Sequence, residues 1–257
     1  MKFKIQLIAL LTHLNHEYNR MARIPLQVFL PSMITTFIYF LIFGAIIGQR
    51  VGTVDGVSYS LFITPGLVMI SVITNSYTNT SSSLFSARFQ RSVEELLISP
   101  MHQSIFLLGY VLGGVIRGVI VAVIVLSVSA LFVDLHLKQI PIILLVTALF
   151  SSLFSLLGFT NGMLAKTFEE ISIIPTFVLS PLTYLGGVFY SIDMLPPFWH
   201  KVALLNPIYY MVDILRFAMI GNCCTNIIFS ISCIIAFLFA ATMLNIIFLK
   251  KGIGIRD

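Results

Sequence analysis

Residues able to do chemistry are few in this 257-residue chain, and their spacing excludes most reactions. No GxxxxGK followed by Ser or Thr occurs, so the chain has no loop to cradle and hydrolyse ATP. HExxH and GxSxG are also missing, and an enzyme is not indicated. His13, His16, His102, His136 and His200 fall near helix ends or in loops, not gathered as a metal or proton site would need. Cys223, Cys224 and Cys233 lack metal-ligand spacing and read as small apolar packing residues. The Asp and Glu residues fall in connections or at span ends, where the membrane-embedded carboxylates of an ion-coupled carrier are not expected. Arg117 is the one clear charge inside an apolar run. Two readings are open for it: snorkelling to one interface, or turning inward to pair with a polar neighbour.

The elements that position these residues follow from composition. Hydrophobic residues make up 58% of the chain and charged residues 10%, with a mean hydropathy of +1.01. A soluble domain carries about 25% charged residues, so this surface faces a bilayer. Each helical span takes about 20 apolar residues, and six spans use nearly the whole chain as a single transmembrane domain over 1–257. The net charge of +5 has no soluble basic domain to carry it; it reads as a topology signal, not as a nucleic-acid surface.

Residues 1–23 read as an amphipathic interfacial helix, with Leu7, Leu11, Leu14 and Tyr18 on one face and Lys2, Lys4, His13, His16, Glu17 and Arg20 on the other. The apolar start is broken by polar residues and has no small-residue cleavage site after it, unlike a signal peptide. Spans are predicted at about 25–48, 58–80, 104–133, 141–165, 171–190 and 225–249. Pro175, Pro181 and Gly186–Gly187 interrupt the fifth. Between the second and third spans, 84–99 reads as a surface helix, with Phe85, Phe89, Val93, Leu96 and Leu97 opposite Arg88, Arg91, Glu94 and Glu95, stopped by Pro100. It is either a generic surface helix or a docking surface for a cytoplasmic motor. Residues 191–224 are either a plain loop with interfacial aromatics or short re-entrant helices, the apolar run Ile208–Ile220 favouring the second.

With six spans both termini share a side. Lys2, Lys4, Arg20, Arg23, Arg88, Arg91, Lys166, Lys250, Lys251 and Arg256 lie there, against Arg50, Lys138, Lys201 and Arg216 opposite, a ratio of ten to four. The positive-inside rule then places both ends in the cytoplasm and 191–224 outside.

In order, spacing and placement, Arg91–Pro100 after the second span, Pro181–Tyr190 at the end of the fifth, Leu195-Pro196, and Leu205-Asn206-Pro207 with Asp213–Arg216 resemble the membrane permeases of type-2 ABC exporters, in particular bacterial drug and lipo-oligosaccharide exporter-like members. The resemblance covers essentially the whole chain. It implies an all-α integral membrane fold of six transmembrane helices, with an N-terminal interfacial helix, a cytoplasmic coupling helix and external re-entrant helices between the fifth and sixth spans. It further implies a subunit of the bacterial inner membrane, working as a two-fold pair with a separate cytoplasmic ATP-binding subunit. ATP and Mg would sit on that partner, with no cofactor on this chain. The coupling role maps to Phe85, Arg88, Phe89, Arg91, Glu94 and Glu95, with the N-terminal helix and Glu169–Glu170 adding contacts. The pathway-lining role maps to Thr74, Asn75, Thr78, Tyr184 and Tyr190. The alternative is an ion-coupled secondary transporter. The substrate is not legible: Phe189, Tyr190, Phe198, Trp199, Tyr209 and Tyr210 suit stacking on sugars as well as an ordinary aromatic belt.

Overall fold

A computed structural model describes residues 2–93, 101–135, 139–221 and 227–254. Among these the fold is helical, apart from one hairpin that pairs Thr53 with Ser58 and Val54 with Val57. Asp55 and Gly56 close it at φ 50° and 80°, the two left-handed positions an Asp-Gly type I′ turn requires.

Among the described residues, five helices are long and apolar enough to cross a bilayer: α2 (Pro25–Val51), α3 (Tyr59–Phe89), α4 (Gln103–Ser129), α5 (Ile140–Leu164) and α10 (Ile227–Lys251). The least apolar of them is the most buried. The apolar window of α3 has a mean hydropathy of 1.3 and is 72% buried, whereas that of α10 reaches 2.6 and is 17% buried. Lipid is as apolar as leucine, so outer helices carry the grease and the central helix carries small and polar residues that let backbones close up. Accordingly α3, α4 and α5 form the core. Ser76 and Thr80 of α3 meet Ser151 and Ser155 of α5 beside Gly118 and Gly114 of α4, and Gly158 of α5 lies against the Tyr77 carbonyl.

The sequence pattern predicts a break between a span at 58–80 and a surface helix at 84–99. Instead α3 is one helix of 31 residues through Phe89. The Ser81-Ser82-Ser83 run that lowers hydropathy contains no breaker, and Ser81 and Ser83 are buried against protein. The chain turns only at Gln90–Arg91, where Arg91 adopts φ 59°; Glu94 and Glu95 lie outside the described residues.

Helix α1 (Lys2–Ala22) lies on α4. Leu7, Leu11 and Tyr18 are exposed, as an interfacial helix requires, but the polar face turns to protein: His13 and Glu17 are buried over Gly109 and Gly113. The predicted fifth span is a broken helical run, α6 (Phe168–Ile174), a π-turn at Pro175–Leu179 and α7 (Ser180–Leu185). Pro175 and Pro181 each withhold an N–H from the ladder, which accounts for the break. At about 1.5 Å per residue, these residues span roughly 27 Å, near the hydrocarbon thickness. Helices α8 (Pro197–Leu204) and α9 (Pro207–Ile220) then meet at 81°, and α9 is buried among α3, α5 and α10. Asp213 and Arg216 therefore sit inside protein, not on a loop, with Arg216 donating to the Gly187 carbonyl at 3.0 Å and stacked 3.9 Å over Phe62.

Candidate functional site

Two regions gather the chemically capable side chains. The first is a polar seam where α1, α2, α3 and α4 meet. Asn75 and Asn79, one turn apart on α3, both face Arg117 near the middle of α4. Arg117 donates to Asn75 Oδ1 from Nε at 3.2 Å and from Nη2 at 3.0 Å, and to Asn79 Oδ1 from Nη1 at 3.4 Å. Asn75 in turn donates to Ser32 Oγ of α2 at 2.9 Å. From α1, Arg20 donates to Asn79 Oδ1 at 2.8 Å and pairs with Glu17 at 2.9 Å. Glu17, 1% exposed, also accepts from the Ser83 hydroxyl. Of the two readings open for Arg117, the structure selects inward pairing.

A cavity of about 330 Å³ opens between α2 and α3 beside this seam, lined by Thr74, Asn75 and Thr78 together with Ser32, Tyr39 and Arg117. Three of the predicted pathway residues are thus brought together. Tyr184 is outside this lining but touches it, its hydroxyl 3.4 Å from that of Tyr39. Tyr190 has no ring partner among the described contacts; its neighbour Phe189 fills that place, stacked on Phe43 at 4.5 Å and near Tyr39 at 5.5 Å. Gly187 at φ 71° turns the chain just before it. Ser32, Tyr39, Asn79, Glu17 and Arg20 are members that the sequence reading did not single out as site residues. The i, i+4 pair Asn75/Asn79 and the polar stripe Ser32/Thr36 on an apolar span were the signals available.

The second region is the end of α3 that packs on the α5–α6 elbow. Phe85 is buried with Ala165 and Ile171, and its ring meets Phe168 edge-on at 4.7 Å. Arg88 donates to the carbonyls of Gly162 at 2.8 Å and Ala165 at 3.1 Å, satisfying the end of α5. Thr167 caps α6, its Oγ1 accepting from Glu170 N at 3.2 Å, and the Glu170 carboxylate accepts from Lys166 N at 2.8 Å. Phe89 is 70% exposed and Phe168 58%, their rings 5.4 Å apart, with Arg91, Lys166 and Glu169 exposed around them. Of the predicted coupling residues, Phe89 and Arg91 lie on the surface, while Phe85 and Arg88 hold the elbow together.

This arrangement joins a long central helix, a broken helical run over Phe168–Leu185 and a buried short helix after it. Residues 8–220, covering α1 to α9, match the ABC-2 type transporter family. The chain belongs to that family. It is similar to the inner membrane transport permease YadH of Escherichia coli (strain K12), 44% identical over 241 residues that span 94% of each chain. It is also similar to nodulation protein J of Rhizobium leguminosarum bv. viciae, 27% identical over 81% of this chain and 83% of that one. Nodulation protein J of Rhizobium meliloti (strain 1021) is 27% identical over 80% of this chain and 79% of its own length. The ABC-2 chain described here is therefore a multi-pass membrane permease of an ABC transporter, and both regions above fall within the matched residues.

Proposed function

We propose that this ABC-2 permease exports its substrate from a bacterial inner membrane, as one half of a two-fold pair driven by a separate cytoplasmic ATP-binding subunit. The carrying observation is the family match over residues 8–220 in a chain without a phosphate-cradle sequence of its own. Both termini are assigned to the cytoplasm on the excess of Lys and Arg there. The exposed Phe89–Phe168 pair, rimmed by Arg91, Lys166 and Glu169, suits docking of the motor: an apolar centre with charges around it. Helix α3 links that surface to the cavity. From Phe89 to Asn75 is about 21 Å along one helix, and Arg88 ties its end to the α5–α6 elbow. A push delivered at Phe89 thus moves the residues lining the cavity.

The ion-coupled reading is the second one. Glu17 and Asp213 are buried carboxylates, which such carriers use, but Glu17 is committed to Arg20 and Ser83. Mild solubilisation of the tagged chain from its own host separates the two. The exporter reading expects a stoichiometric subunit with a phosphate-cradle motif and vanadate-sensitive ATPase activity, and Arg91→Glu with Phe89→Ser should lower transport per ATP. Repeated isolation of this chain alone, with solute movement down an imposed ion gradient, would replace it with the second.

A further inference from the structure

The cavity beside Arg117 does not stand alone. It shares Gln27, Val28 and Arg117 with a second cavity of about 300 Å³, and that one shares Arg20 and Ile24 with a third of about 310 Å³ at the α1–α2 elbow. Together they form a track from the interfacial helix to the middle of α4. The basic side chains lining it are His16, Arg20, Arg23 and Arg117, and among the described residues no carboxylate lines it. Glu17 lies behind it, engaged by Arg20.

Arg117 is the exceptional member. A guanidinium at mid-span ordinarily finds a carboxylate or reaches an interface. Among the described residues no carboxylate pairs with it; its partners are the amide oxygens of Asn75 and Asn79. These engage three of its five N–H groups and offset none of its charge. The two amides fix the planar fork against α3, while Arg117 itself lines the cavity. The cavity's rim is exposed at Gln27, Pro31, Thr35 and Thr74, and α2 beyond it presents Leu30, Ile34, Phe37 and Ile38 outward. A ligand there meets a cation at one side and apolar side chains at the other.

We propose that Arg117 anchors the anionic head group, phosphate or carboxylate, of an amphiphile lying in the track between α1, α2 and α3. Arg20 and Arg23 draw the head group in along the elbow, and Arg117 receives it through a charge-assisted, fork-shaped contact. Ser32, Thr35 and Thr78 supply hydroxyls around it. The chains of the amphiphile follow the apolar flank of α2. Two sources share this chemistry, a resident bilayer lipid and the transported substrate; assignment as substrate rests on the exporter reading, whereas binding itself does not.

The test is a titration of the purified full chain, with any co-purifying subunit, in mild detergent. Phosphatidylglycerol and phosphatidylcholine of identical acyl chains are compared by native mass spectrometry. The wild type is expected to prefer the anionic lipid by about tenfold, the worth of one charge-assisted hydrogen bond. Arg117→Gln should erase the preference and Arg117→Lys should keep part of it. Asn75→Asp supplies an internal counter-ion beside Arg117; it should also erase the preference while the protein stays monodisperse, which separates loss of the site from loss of the fold. Arg50→Gln, at the other end of α2, should change nothing. No preference in the wild type, or one that survives both Arg117→Gln and Asn75→Asp, overturns the proposal. Where the preference is found, release of bound lipid on vanadate trapping with a motor subunit assigns the head group to cargo, and retention assigns it to a resident lipid. None of the binding arms uses ATP, so their failure is distinguishable from failure of the exporter reading.

Discussion

Replacing Glu17 by alanine should release α1 from the bundle, and the structure allows the cost to be worked out. The Glu17 carboxylate is 1% exposed and holds Arg20 at 2.9 Å and the Ser83 hydroxyl. Hydrogen bonds to a charged group contribute about 1.5–3 kcal/mol each, and breaking a buried ion pair by removing one partner costs about 3–5 kcal/mol. The lower end applies here. Arg20 is 33% exposed on its side chain and keeps both the carbonyl and the amide oxygen of Asn79, so the charge left behind is not stranded. A loss of about 3 kcal/mol multiplies the undocked population on the order of a hundredfold. Trypsin reads that population directly, because Arg20 and Arg23 are cleavage sites at the end of α1 and cleavage tracks the open state when reclosing is fast. Ser83→Ala alone should accelerate cleavage by about tenfold, and Glu17→Ala with Ser83→Ala should fall short of the product of the two, since they share one contact. A Glu17→Ala rate within about threefold of wild type would sink the argument that this pair fastens α1, because that is well under 1 kcal/mol.

Burial holds the His13 imidazole below its ordinary value of 6.5, helped by His16 and opposed by Glu17. The docked state thus favours neutral His13, while the undocked helix takes up the proton more readily. Docking is therefore fully supported above about pH 6.5 and weakens as pH falls below it; amide exchange in α1, corrected for intrinsic rates, should show this, and His13→Gln should flatten it. At Gly158, a Cβ would run into the Tyr77 carbonyl, which belongs to the backbone and cannot swing aside. Gly158→Ala should cost about 1–3 kcal/mol in an SDS-unfolding equilibrium and Gly158→Leu should abolish monodisperse protein. Leu145→Ala, 66% exposed toward lipid, should stay within about 0.5 kcal/mol.

The class of the protein was legible because hydropathy reports how much of each helix must leave water. It does not report which neighbour each helix leaves water for. Ser81–Ser83 lowers the apolar average and so reads as the end of a span, yet these residues continue α3 into the protein core. The amphipathic pattern of α1 gave the right apolar face, but its polar face was read as solvated when His13, Glu17 and Arg20 turn to α3 and α4. For Arg117 the helical period alone offers no direction, since partner choice depends on the rotation of α4 against α3 and no single-helix pattern contains that. The breaks in the α6–α7 run were legible, because Pro175 and Pro181 act through their own missing donors and need no neighbour. The packing of Phe189 on Tyr39 and Phe43 was not, because it joins residues far apart in the sequence.

The placement of these breakers also bears on how force crosses the molecule. Between Leu67 and Phe89, α3 contains neither glycine nor proline, and it is clasped along this length by α4 and α5. Its stiff portion therefore reaches from the exposed Phe89 past Asn79 and Asn75 to Thr74. The α6–α7 run is built the opposite way: Pro175, a π-turn and Pro181 interrupt its hydrogen-bond ladder within a few residues. Packed interiors move as bodies while interrupted ladders bend. A displacement entering at Phe89 and Phe168 would then shift α3, α4 and α5 together and be taken up between Pro175 and Pro181. That would change the separation of Tyr184, which lies beyond Pro181, from Tyr39 before it changed the Arg117–Asn75 contact between two uninterrupted helix segments. Tyr39 itself adjoins a further break, since α2 carries Pro31 and a π-helical stretch at Phe40–Ile47, so the aromatic pair sits between interrupted helices and the polar anchor between unbroken ones.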